Sequence, residues 1–152
     1  MPSTIPAVKK GLRDFLVAQT GLRPVDGVTI RSATITPEQF SADLVILGDA
    51  TATQAQAGLA SRAETPTLNC WAIVTRPGDT EDVIDTARTA AAALATTVEA
   101  ALKADPLAGG TVPRPGRVVF ASTGLSESPV SWDGAAARRA EVAFSLTWTS
   151  HA

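Results

Sequence analysis

Apolar side chains recur along this chain in two rhythms, one near 3.6 residues and one of two, and the alternation between them lays out the elements. Over residues 4–20, Ile5, Val8, Leu12, Phe15 and Leu16 fall on one stripe. Ser3 or Thr4 can cap its start, Pro6 sits in the first turn and Gly21 is a stop, so the stretch predicts an amphipathic helix. Short β-branched or apolar runs at 28–31 and 43–47, flanked by Pro and Gly, predict two strands. Residues 64–76 alternate, with Leu68, Cys70, Ala72 and Val74 on one face and Trp71 and Ile73 on the other. That predicts a strand at least partly covered on both faces and ended by Pro77-Gly78.

Asp79 or Thr80 can then cap a helix whose stripe is Val83, Ile84, Ala87, Ala91, Leu94, Val98, Ala101 and Leu102, ending before Asp105-Pro106. Its alanine-rich middle, 90–95, favours helix and lets another backbone come close, which predicts a helix lying flat on a sheet. A further strand is expected at 117–121. The cleanest alternation is at 138–149, with Ala140, Val142, Phe144, Leu146 and Trp148 inward and Glu141, Ser145, Thr147 and Thr149 outward. Residues 32–42, 49–63 and 124–137, and the shorter 106–116, read as irregular and long for loops of a compact domain. The expected fold is α+β: a mostly antiparallel sheet covered on one face by the N-terminal helix and the long central helix, with extended loops.

The 152 residues suit one hydrophobic core, so a single domain over 1–152 is expected. Charged residues make up 18%, below the usual quarter or so, and the net charge is −2. The basic residues are scattered, with only Lys9-Lys10 and Arg138-Arg139 adjacent, so no stripe that tracks phosphates is present and nucleic acid is not the expected main partner. Cys70 is the single cysteine, which excludes an internal disulfide. The start of the chain lacks an apolar targeting segment and no run approaches the roughly 20 apolar residues of a membrane span. The expected location is the cytoplasm or particles assembled there, without a membrane partner.

Candidate chemistry is thin. The one histidine, His151, stands next to the last residue, where fraying is expected, and Cys70 sits among apolar neighbours as a small core side chain would. The turn Arg76-Pro77-Gly78-Asp79-Thr80 has one glycine and no following lysine, so it meets neither phosphate-binding pattern. Asp79, Glu81, Asp82 and Asp85 could suggest acid/base work or a hard metal, but at a helix start acids are stabilised by the macrodipole. Residues 122–128 are rich in hydroxyls without the nucleophile-elbow spacing. No catalytic, cofactor or metal residue is assigned, and an enzyme is not expected. Trp132, in a polar Ser- and Gly-containing stretch, is either packed back on its own domain or an interface anchor.

The order of elements, the opening Met1-Pro2-Ser3-Thr4-Ile5-Pro6-Ala7-Val8, the Leu47-Gly48-Asp49 segment and the run over 65–79 resemble the tail terminator (tail completion) proteins of long-tailed bacteriophages and related tail-like particles, over nearly the whole chain. The resemblance implies a structural virion protein: a homo-oligomeric ring of six subunits at the head-proximal end of the tail, binding the major tail tube protein on one side and head-completion or connector proteins on the other. DNA would pass through the lumen without specific binding. A closed ring needs a head-to-tail interface using two different patches per subunit. From side-chain chemistry alone, Arg62, Arg114, Arg117, Trp132, Arg138 and Arg139 are the interface candidates. The alternatives are another neck or tube component of the same particle, or a small ligand-binding or enzymatic domain with its pocket between long helix and sheet; the aliphatic stripe over 83–102 offers such a pocket few polar groups.

Overall fold

In the computed structural model the described residues are 5–32, 43–56, 62–112 and 117–151. They form two helices, α1 (Ile5–Val17) and α2 (Glu81–Ala104), and strands β1 (Val28–Arg31), β2 (Asp43–Gln56), β3 (Arg62–Pro77), β4 (Val119–Trp132), β5 (Ala135–Thr147) and β6 (Ser150–His151). The sheet order is β1-β2-β3-β5-β4, with β6 also pairing on β3. β1 and β2 are parallel and every other pair is antiparallel, so the fold is the expected α+β sheet with two helices.

Both helices bury their stripes against the same face of the sheet. Val8, Leu12 and Leu16 of α1 and Ala87, Ala91, Leu94, Ala95, Val98 and Leu102 of α2 share one core with Val45, Leu47, Leu68, Cys70, Ala72, Val74, Val142, Phe144, Leu146 and Trp148. Each large apolar side chain withdrawn from water here is worth about 1.5–3 kcal/mol. α2 starts where the sequence predicts: Thr80 Oγ1 accepts from the Val83 amide at 3.3 Å, and Glu81 and Asp82 occupy the first turn. α1 ends at Val17, three residues earlier than expected, because the chain tightens there into successive short turns, Gln19 N to Leu16 O and Leu22 N to Gln19 O. The expected caps Ser3 and Thr4 lie outside the described residues, as do 33–42, 57–61 and 113–116 of the expected loops.

Two of the expected loops are corrected by the structure. β2 continues through Gln56 and β3 resumes at Arg62, so most of 49–63 is a two-stranded ladder from Ala50↔Leu68 to Gln56↔Arg62. This part of the hairpin outruns the sheet: the pairing of β1 on β2 ends at Arg31↔Ile46, β5 leaves β3 at Thr67, and only β6 pairs beyond, at Ala63 and Glu64. The extension is roughly 20 Å long. Likewise 124–137 is the hairpin β4–β5, closed by Trp132↔Ala135 across Asp133 (φ 53°) and Gly134 (φ 78°). Two positive φ angles make the tight turn whose twist matches the flanking strands, and Gly134 takes its angle without a Cβ penalty.

On the face away from the helices a second cluster forms, with Leu44, Ile46 and Ile73 buried and Trp71 half-buried. Leu44 lies opposite Ile73 and Ile46 opposite Trp71, so cross-strand pairs build it and β3 is covered on both faces as its alternation predicts. Gly48 is needed beside it. A Cβ there would stand 2.5 Å from the Trp71 ring and 2.7 Å from the Asn69 carbonyl, at the register shift between Leu47 and Ala50. The second register shift, between Ser122 and Gly124 on β4, leaves open space around Gly124. Gly48→Ala is therefore expected to destabilise the fold by about 1–3 kcal/mol. Gly124→Ala should stay within about 0.5 kcal/mol of wild type. Urea unfolding of the two variants measures the contrast, and equal midpoints would refute the close approach at Gly48.

Candidate assembly surface

Among the described residues the one thiol is buried and the acid beside the groove between α2 and β4 is engaged. Cys70 is 1% exposed on β3, and burial pushes its thiol up to about 12, so no thiolate forms near neutral pH. His151, expected in a frayed tail, is tied by its backbone to Ala63 in the β6–β3 pair. Among the described residues no His, Cys, Asp and Glu group converges to hold a metal ion. The acids at the start of α2 behave as a helix start, and Asp79 accepts from Arg138 Nε at 2.6 Å. The groove between α2 and β4, about 240 Å³ and lined by Ala92, Ala95, Phe120, Leu125 and Val142, is open and chiefly apolar. It is smaller than the roughly 300–1,000 Å³ of small-molecule sites. The one carboxylate lining it, Glu99, is held by Lys103 at 2.9 Å.

What remains is surface, and the two lateral sides of the sheet differ. On the β4 side the outermost strand carries Leu125, 51% exposed and lining that groove, and Val119, 49% exposed and lining the adjoining one beside Arg117 and Lys103. Phe120 closes the groove floor by stacking on Phe144, ring centroids 4.8 Å apart. Arg138 on β5 bonds Asp79 before α2 and also Glu127 on β4 at 3.1 Å. That chain of charges ties the start of α2, where Glu81, Asp82 and Asp85 are exposed, to the edge strand.

On the β1 side, residues 21–27 form a tight loop around Asp26. Its carboxylate accepts from the Gly21 amide (2.8 Å), the Arg23 amide (3.2 Å) and Arg23 Nε (3.0 Å). The Arg23 guanidinium first, and the Gly21 amide second, hold this carboxyl down to about 2. The loop so fixed presents Val25, 82% exposed, between Pro24 and Asp26. The elements of this side, α1, the loop and β1, carry Lys9, Lys10, Arg13, Arg23 and Arg31 against two acids, Asp14, which Lys10 and Arg13 share, and Asp26, which Arg23 holds.

The interface candidates read from sequence scatter over this frame. Arg117 is exposed before β4 and lines the far end of the groove beside Glu99 and Lys103, and Trp132 is half-buried at the β4–β5 turn. Arg138 and Arg139 spend their charge inside the chain, the latter on Glu141 at 2.7 Å. Arg62 heads β3, opposite Gln56 and remote from the others in the ladder, and Arg114 lies outside the described residues. Sequence reasoning missed Val25, Val119 and Leu125, the large hydrophobics left exposed among the described residues. A signal was present for two of them: Val25 is framed by Pro24 and Asp26, and Leu125 stands alone in a Ser, Thr and Gly run, where neither has a period to join.

Compared with known protein families the chain matches none, and a search of curated proteins finds no match.

Two outcomes follow from this geometry. Cys70 should react with a thiol reagent at pH 8 only as fast as the protein unfolds, and immediate labelling of the native protein would contradict its burial. For Asp26 the folded carboxyl titrates below its usual 3.8, so its contribution to stability is complete above about pH 4 and disappears as pH falls towards 2. Asp26→Asn should therefore melt below wild type at neutral pH, with the gap closing on acidification. Thermal unfolding followed by circular dichroism across that range checks both the sign and the window.

Proposed function

We propose that the chain is a structural subunit of a bacteriophage or tail-like particle, forming a ring that ends the tail tube and joins it to head-completion proteins. The observation that carries this reading is the pair of unlike lateral sides: one apolar and acidic along β4 and α2, one basic around an exposed valine along α1 and β1. Two different patches on opposite sides are what a head-to-tail ring requires and what an isologous dimer does not. The resemblance in element order to tail terminators supports the same assignment. So does the chemistry of the described residues, where the thiol is buried, the carboxylate lining the groove is paired with Lys103 and the groove itself is open and chiefly apolar.

In such a ring the β2–β3 extension is free to reach a neighbouring component, since it stands clear of β1 and β5. Six chains of net charge −2 would give an assembly of roughly −12, which disfavours retention of DNA in a lumen.

The test is assembly on tubes. Purified protein mixed with purified tail tubes and imaged in negative stain should give density at one tube end, and rings of tube width should appear as a species near six times the 15.6 kDa of one chain. Decoration along the whole tube would make it a tube component instead. A protein that neither forms rings nor binds tubes would refute the reading.

A further inference from the structure

The apolar, charged and backbone groups left unused on one side of the sheet match those left unused on the other. β4 is the outer strand at one side and β1 at the other, and neither has a further strand partner among the described residues. Long free edges in monomeric proteins are usually guarded by charge. On β4 the stretch from Val119 to Ser126 carries none: it reads Val-Phe-Ala-Ser-Thr-Gly-Leu-Ser. The exposed large hydrophobics fall on the same two sides, Val119 and Leu125 on one and Val25 on the other.

Charge divides the same way. Glu81, Asp82 and Asp85 are exposed at the start of α2 with no base before Arg88, and they outnumber the exposed Arg88 and Arg117 that α2 and the approach to β4 carry beside the Glu99–Lys103 pair. Among the described residues the β1 side carries five bases against two acids, Asp14 shared by Lys10 and Arg13 and Asp26 held by Arg23, so its net charge stays positive, with Lys9 and Arg31 outside these pairs. Two β4 sides brought together would oppose acid to acid, and two β1 sides base to base. One of each opposes acid to base, so the sign pattern selects the heterologous pairing over either symmetric one.

We infer that the occupant of the β4 side is the β1 side of a second copy of this chain. Leu125 and the groove between α2 and β4 receive the Val25 loop, and the acids opening α2 face the bases of α1 and β1. The tight Asp26 loop has a use in this contact: it fixes Val25 outward before association, so little ordering is lost on binding. The inference deepens the ring reading and rests on it only for the closure of successive contacts.

Two substitutions at exposed positions separate the alternatives. Leu125→Arg damages only the β4 side and Val25→Glu only the β1 side. Wild-type protein should associate with rising concentration in sedimentation velocity, more weakly as salt is added. Each variant alone should associate at least about tenfold more weakly. Mixed in equal amounts the two should form a 1:1 dimer that grows no further, since each retains the side the other lacks. Leu125→Ser and Val25→Ser provide a milder second pair, expected to weaken association in the same direction, should either charged variant fold poorly.

Wild-type protein that stays monomeric at every concentration would overturn the contact, as would a mixture that fails to dimerise or a Leu125→Arg variant that associates like wild type. Loss of tube binding alongside intact mixed dimers would sink the tail assignment and leave the contact standing. Tube capping by protein whose variants do not complement would remove the contact alone.

Discussion

Everything in this molecule hangs on β3, the strand that is paired along both edges and covered on both faces. Its partners β2 and β5 fix its hydrogen bonds from Leu44↔Ile73 through Gln56↔Arg62 on one side and from Thr67↔Thr147 through Pro77↔Ala137 on the other. Its side chains then divide between two cores, Leu68, Cys70, Ala72 and Val74 under the helices and Ile73 with Trp71 on the opposite face. A slip of one residue would exchange those sets and turn Asn69 and Thr75 towards the helix-covered core, so the register is strongly specified. Once β3 is fixed, α2 must cross it and β5 on the helix face, and the strands left at the margins, β1 and β4, are the ones with backbone to spare.

The legible parts of the sequence were those where burial imposes a period. The stripes of α1 and α2, the two-faced alternation of β3 and the inward set of β5 each put an apolar residue where the core needs one, and each was readable without a structure. The β2–β3 extension and β4 were not, for a definite reason. Thr51-Ala52 on β2 are exposed and β4 is exposed over most of its length, so neither segment carries the apolar rhythm that announces a strand. Backbone pairing with a neighbour keeps them extended. Only Asp133-Gly134 betrayed the second hairpin, since that dipeptide supplies the two positive φ angles of a two-residue turn.

The candidate surface was harder to read than the fold because it is made of exceptions. Arginines suggested themselves as interface anchors, yet Arg138 and Arg139 serve the chain's own carboxylates, and Arg138 couples α2 to the edge strand. The residues that distinguish the two sides are instead single apolar side chains exposed by local geometry. Val25 is outward because Asp26 ties the loop beneath it, and Leu125 because the register shift beside Gly124 interrupts the alternation of β4. Neither cause is visible as periodicity.

A free strand edge by itself fixes the spacing between two molecules but not the angle at which a third would follow, and an angle left loose gives fibres or aggregates rather than a closed assembly. This chain limits that hazard along β4 itself. Pro129 removes a backbone donor, the register shift at 122–124 bends the strand, and Glu127 is taken by Arg138, so the open stretch is confined to the part next to the groove. A contact confined there must also use what stands above the sheet plane, namely α2 with its opening acids. Contacts in the plane and out of it together define a rotation, and a defined rotation between unlike patches is the physical requirement for any ring.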